Sequence, residues 1–159
     1  MKSPEQNLKE IEKSLAVDAQ YLTKVEVKPL TQEELSIIKS RIKPSYCYDN
    51  AITSAVKLDM CSVVYGAAQV KLSPELTINV EHAWIKDNRG TYYDPTYQLL
   101  ELNKKTNDKT DYFSLIEIPL DEYFDLASDI SGYPLTQLTA IDFCGLRMSR
   151  KYEKQFKRT

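Results

Sequence analysis

The chain has 159 residues, 42% of them hydrophobic and 28% charged, with 21 basic and 23 acidic side chains for a formal net charge of -2. That length suits one domain with a real core and excludes two independent ones, and the composition excludes the low-hydrophobicity, high-charge signature of disorder. The basic residues are spread along the chain except in "LRMSRKYEKQFKRT", which reads as a solvated helix end and not a phosphate-tracking surface, and we expect no nucleic-acid partner.

In chain order, Ser3, Pro4 and Glu5 followed by Leu8, Ile11 and Leu15 predict a capped amphipathic helix to about Tyr21. "VEVKPL" reads as a short extended link. Thr31 with Glu34 is a capping box, and Leu35, Ile37, Ile38 and Ile42 carry a second helix that ends before Pro44. From Cys47 to about Leu58, the spacing of Ala51, Ile52, Ala55 and Val56 predicts a central, largely buried helix.

Four strands follow from β-branched and aromatic runs: "CSVVYGAAQVKL", "TINVEHAWIK", "TYYDPTYQLLEL" and "YFSLIEIPL". The polar stretch "NKKTNDKTD" before the last of them predicts a loop that could cover a site as a lid. "LDEYFDLASDI" and "PLTQLTAIDFCGLRMSRKY" predict helices separated by "SGYP". The expected fold is α+β in a single domain over 1–159: N-terminal helices in 1–43, a cysteine-bearing helix packed on a small antiparallel sheet in 44–118, and C-terminal helices in 119–159.

The charged N-terminus, "MKSPEQNLKEIEKSL", has no apolar core of signal-peptide length, and no run approaches the roughly 18 apolar residues of a membrane span. Neither a membrane partner nor secretion is expected. Cys47, Cys61 and Cys144 are odd in number, far apart and never paired as CxxC, so free thiols in the cytoplasm are predicted, with no metal site and no cofactor. The apolar settings "MCSVV" and "DFCGL" predict that Cys61 and Cys144 are inert core.

Cys47 differs. It opens a helix, where unpaired N–H groups favour negative charge, and a cysteine attacks only as thiolate. The chain has one histidine, His82, so that residue is the only imidazole available as its partner. If "DNRG" forms a type I turn with Gly90 left-handed, Asp87 pairs with Thr91, Trp84 lies opposite Asp94, and His82, Trp84 and Asp94 share one face of the hairpin. A two-residue turn would put His82 and Asp94 on opposite faces. The spacing thus supports Cys47 as nucleophile, His82 as base and acid, and Asp94 as orienter of the imidazole, a constellation for acyl transfer. Asn50, one turn after Cys47, could donate to substrate or tie the helix in place; Gln69 is a further candidate oxyanion donor, and Trp84 a shield over His82.

"HAWIKDNRGTYYDPT" resembles the His-Ala-Trp and Asp-Pro-Thr pattern of transglutaminase-like and related papain-like cysteine enzymes, in the order Cys, His, Asp. "CYDNA", "VVYGAAQV" and "EHAWIKDNRGTYYDPT" are similar to small uncharacterised bacterial and phage proteins with a Cys-x-x-Asn-Ala helix and the same hairpin, over about Ser45 to Tyr97. The resemblance implies a compact papain-like core with Cys47, His82 and Asp94 at the triad positions. The extra domains of larger transglutaminases are lacking, and Tyr48 stands where they have tryptophan. The expected function is a cysteine-dependent hydrolase, deamidase or transferase acting on a peptide, protein or small amide or thioester. The rival is a papain-like binding module, such as a phage protein that sequesters a host protein or small molecule without turnover.

Overall fold

In the computed structural model, residues 2–100 and 110–157 are described. The elements are helix α1 (Pro4–Leu15), strand β1 (Thr23–Val25), α2 (Gln32–Ile38), α3 (Cys47–Lys57), β2 (Ser62–Ser73), β3 (Leu76–Lys86), β4 (Tyr92–Tyr93), α4 (Pro95–Leu99), β5 (Thr110–Pro119), α5 (Leu120–Ser131) and α6 (Phe143–Met148). The architecture is α+β: among the described residues, six α-helices pack around one antiparallel sheet of order β1-β5-β2-β3-β4.

Local chemistry explains most element ends. Ser3 and Gln6 form a reciprocal capping box on α1 with Pro4 in its first turn, and Thr31 and Glu34 do the same on α2. The first helix stops at Leu15 rather than near Tyr21, because Ala16 turns left-handed (φ 55°) and its N–H closes the helix on Glu12. The extended link contains an edge strand: β1 is held only by β5, through pairs such as Thr23 with Ser114. Among the described residues the expected strand after the "DNRG" turn is strand only at Tyr92 and Tyr93, since Asp94 caps α4 and Pro95 opens it, and its last two residues, 101 and 102, lie outside the described residues. In the C-terminal stretch only Phe143–Met148 is α-helical, started by the Asp142 cap.

Strand alternation divides the sheet into two faces. Val63, Tyr65 and Ala67 of β2 with Ala83 and Ile85 of β3 belong to the main core, shared with α3 (Ala51, Ile52, Ala55), α1 and the C-terminal helices. Val64, Ala68 and Val70 with Trp84 and Tyr112 form a second, smaller cluster on the other face. The chain beyond β1 crosses to the far strand, where Val27 bridges Tyr92 and Lys28 N–H donates to the Tyr92 carbonyl at 2.8 Å, so the sheet curls around this second cluster.

Gly66 makes that packing possible. It lies opposite His82 in the β2–β3 register, and a Cβ there would sit 1.9 Å from the Phe113 carbonyl oxygen and 3.0 Å from the Trp84 ring. Among the described residues no helix is long and apolar enough to cross a membrane. Of the stretch "NKKTNDKTD", residues 103–109 lie outside the described residues, while Thr110 and Asp111 already belong to β5.

Candidate active site

The β3–β4 hairpin sets the site. Asp87 N–H donates to the Thr91 carbonyl at 2.9 Å, Gly90 N–H returns to the Asp87 carbonyl at 3.2 Å, and Gly90 sits at φ 87°, a conformation that suits glycine. The Asp87 carboxylate pins the turn further by accepting from the Arg89 and Thr91 N–H groups. The resulting register pairs Ile85 with Tyr93 and Lys86 with Tyr92, and one more step puts Asp94 abreast of Trp84, on the face that carries His82.

His82 Nε2 and Asp94 Oδ2 are 2.8 Å apart, with both residues buried, at 2% and 1% exposure. Asp94 is fixed from two further directions: Tyr112 donates its hydroxyl to Oδ2 at 2.6 Å, and Oδ1 caps α4 by accepting the Tyr97 N–H at 3.3 Å. With Nε2 engaged, Nδ1 is the ring nitrogen left for the Cys47 sulfur. Burial pulls the His82 pKa down, but the Asp94 charge and hydrogen bond, joined by the hydrogen bond and charge of Cys47, outweigh it and hold His82 up at about 10. The imidazole is therefore charged at neutral pH, and its buried charge is paired.

Aromatic rings enclose it. Tyr97 stacks on the imidazole at 4.2 Å between centroids and 23° between planes, closer than Trp84 at 6.1 Å. Trp84 is fully buried and packs its edge against Tyr112 at 5.2 Å. The shielding ring is thus chiefly Tyr97, with Trp84 behind it as core.

Cys47 is the first residue of α3 and half-buried. The turn that precedes it is tight: Pro44 is followed by Ser45 at φ 68°, and Tyr46 caps the helix without a side-chain hydrogen bond. The first N–H groups of α3 therefore have no partner within the helix and point to the end where the sulfur lies. Cys61 and Cys144, expected in the core, are both exposed. Cys61 lies one residue before β2, and Cys144 lies on α6 between the buried Phe143 and Leu146 contacts.

Asn50 and Gln69 are not oxyanion donors. Asn50 is 1% exposed; its Nδ2 donates to the Lys43 carbonyl at 2.8 Å and to Thr96 Oγ1 at 3.1 Å, and its Oδ1 accepts the Lys43 N–H, which leaves no donor free. It ties the cysteine helix to the segment before it and to α4, the helix that Asp94 caps. Gln69 is an odd number of residues from Gly66, the partner of His82, so it faces the other side of the sheet, where its amide is held by Asn7 and Asn79.

The structure thus brings together Cys47, His82 and Asp94 and adds Tyr112 and Tyr97, which the sequence reading did not single out. Tyr97 carried a weak local signal, three residues after a capping aspartate. Tyr112 carried none, because its place beside Asp94 depends on β5 lying next to β2. Among the described residues no three His, Cys, Asp or Glu side chains gather where a metal ion could sit. Comparison of the chain with family models, curated proteins and solved structures finds no match.

Proposed function

We propose that this protein is a cysteine-dependent acyl-transfer enzyme with a papain-like or transglutaminase-like core, acting on an amide or thioester. The observation that carries the reading is the buried His82–Asp94 bond at 2.8 Å on the imidazole nitrogen that leaves the other free for Cys47. An orienting carboxylate behind an imidazole beside a thiol at a helix start is the arrangement nucleophilic catalysis needs.

In the first step the Cys47 sulfur attacks the acyl carbon and an S–C bond forms. The C–N or C–S bond of the substrate then breaks, and the His82 proton passes to the departing amine or thiol. Water or an amine next attacks the thioester and gives a proton to His82, and Cys47 leaves as thiolate, which restores the starting pair. Developing negative charge on the substrate oxygen falls near the Cys47 N–H at the open end of α3. Three unpaired thiols fit a reducing compartment, and we place the protein in the cytoplasm.

The test is iodoacetamide labelling followed by peptide mass spectrometry, with Cys61 and Cys144 as internal controls. Exposure alone makes Cys47 the slowest of the three, because it is half-buried and they are exposed. The proposal requires Cys47 to react fastest near neutral pH and to lose that advantage in His82→Ala. Rates at Cys47 that follow exposure and ignore His82 would return the chain to a binding module.

A further inference from the structure

The strand that carries His82 has one long side without a partner strand. β3 pairs along its length with β2, whereas on the other side β4 meets only Ile85 and Lys86. Among the described residues, Leu76 to Ala83 therefore face no strand there.

Natural sheets blunt such edges with short strands, lysines, prolines or bulges. The opposite edge of this sheet follows that rule: β1 has three residues, with Lys24 in the middle. The open side of β3 does not. Its sequence, "LTINVEHA", holds neither lysine nor proline, and the ladder with β2 shifts only at the turn, between Lys71 and Ser73. Thr77, Ile78 and Val80 favour extended backbone. Leu76 and Ile78 stay 50% and 36% exposed, apolar side chains left in water on a strand with no partner strand on that side among the described residues.

This edge leads to the reacting groups. His82 lies four residues beyond Ile78, about 13 Å at the rise of a β-strand. Resting on the cysteine-dependent reading above, we propose that the acyl donor is an extended polypeptide that adds to Leu76–Glu81 of β3 as a further strand and delivers one of its own main-chain carbonyls to Cys47. Ladder hydrogen bonds then supply affinity without regard to sequence, and alternate side chains of the substrate meet Leu76, Ile78 and Val80.

A second copy of the chain fits the edge less well. Antiparallel self-pairing centred on Ile78 is limited to Leu76–Val80, because Glu81 of each copy, ion-paired with Arg147 at 3.0 Å, would face the Pro74–Glu75 turn of the other and not a strand. It would also cover the approach to Cys47 that the substrate needs.

The probe is acetyl-Val-Thr-Val-Ala chloromethyl ketone, compared with the same reagent methylated on its backbone nitrogens. The Cys47 sulfur displaces chloride in either reagent, forming an S–CH2 bond, so only strand pairing separates them. The expected result is labelling of Cys47 faster for the unmethylated reagent by about tenfold or more, the effect of losing one or two ladder hydrogen bonds. Equal rates overturn the strand proposal. Iodoacetamide labelling that still depends on His82 then shows that the cysteine reading survives; labelling independent of His82 removes both. A chain that sediments as a dimer, with peptide labelling that slows as protein concentration rises, would assign the edge to a second copy and overturn the proposal.

Discussion

Tyr112 and His82 reach Asp94 through the same oxygen: Oδ2 accepts the phenol hydroxyl at 2.6 Å and lies 2.8 Å from imidazole Nε2. The two residues come from strands on opposite sides of β2, so the carboxylate joins the hairpin to the rest of the curled sheet. The Tyr97 N–H on Oδ1 fixes the remaining oxygen, and Asp94 has little freedom to turn away from the imidazole.

Tyr112→Phe keeps the ring against Trp84 and removes only the hydroxyl. A buried carboxylate that loses such a donor costs about 1.5–3 kcal/mol of stability. We expect a urea midpoint lowered to match. Cys47 labelling should slow less than in His82→Ala, because the imidazole stays with a looser orienter. An unchanged midpoint would mean that the hydroxyl contributes nothing to holding Asp94.

The parts of the site legible in the sequence are those set by neighbours in the chain. The turn chemistry of Asp87 and Gly90 fixes the hairpin register, and with it the shared face of His82 and Asp94. The reading failed where strand order decides: Tyr112 is next to Asp94 only because β5 borders β2, and the face of Gln69 follows from a register that no local signal specifies. The end of α1 was missed because Ala16 takes a left-handed conformation with no glycine to announce it. β1 was missed because three residues become a strand only when β5 offers them a partner. The apolar sequence around Cys61 and Cys144 reflects buried neighbours in alternate positions and says little about the cysteines themselves.

His82 makes stability pH-dependent in a defined window. Unfolded histidine titrates near 6.5 and the folded residue near 10, so between these values the folded chain holds a proton that the unfolded chain has released. The contribution is complete below the lower value and shrinks as pH rises towards the upper one, by at most about 1.4 kcal/mol per pH unit. Urea unfolding of wild type and His82→Asn across this window reads the effect of His82 together with its partners Cys47 and Asp94, since titrating groups away from the site cancel in the difference. The difference should narrow as pH rises; one that stays constant would show that His82 is not held charged.

Asn50→Ala removes the link between α3 and α4. It leaves the buried Thr96 hydroxyl without that donor and gives the Lys43 N–H and carbonyl, on an exposed residue, over to water, for a loss of about 1–3 kcal/mol. Thr96→Val removes only one of these bonds and should cost about 1 kcal/mol. Because Asn50 has no free donor, a mild variant that still folds should retain the ratio of Cys47 to Cys61 labelling. A collapse of that ratio in Thr96→Val, at full stability, would mean that the link aligns the sulfur as well as the helix.

Gly66→Ala tests the packing beneath the site. The added methyl would meet the Phe113 carbonyl oxygen at 1.9 Å, and neither strand can withdraw without breaking the β2–β5 ladder. The expected loss exceeds about 3 kcal/mol, at the upper end of overpacking effects. Gly90→Ala is the control: its φ of 87° strains any side chain, but nothing lies within 4 Å of the new methyl. Its cost should stay near about 1–2 kcal/mol, the left-handed penalty alone. Trp84 is the only tryptophan and touches the Gly66 position, so its fluorescence reports which effect dominates. A red shift in Gly66→Ala and none in Gly90→Ala would follow from displacement of the buried indole. If both variants kept the wild-type emission and midpoint, the close approach of β2, β5 and Trp84 would not be what holds His82 in place.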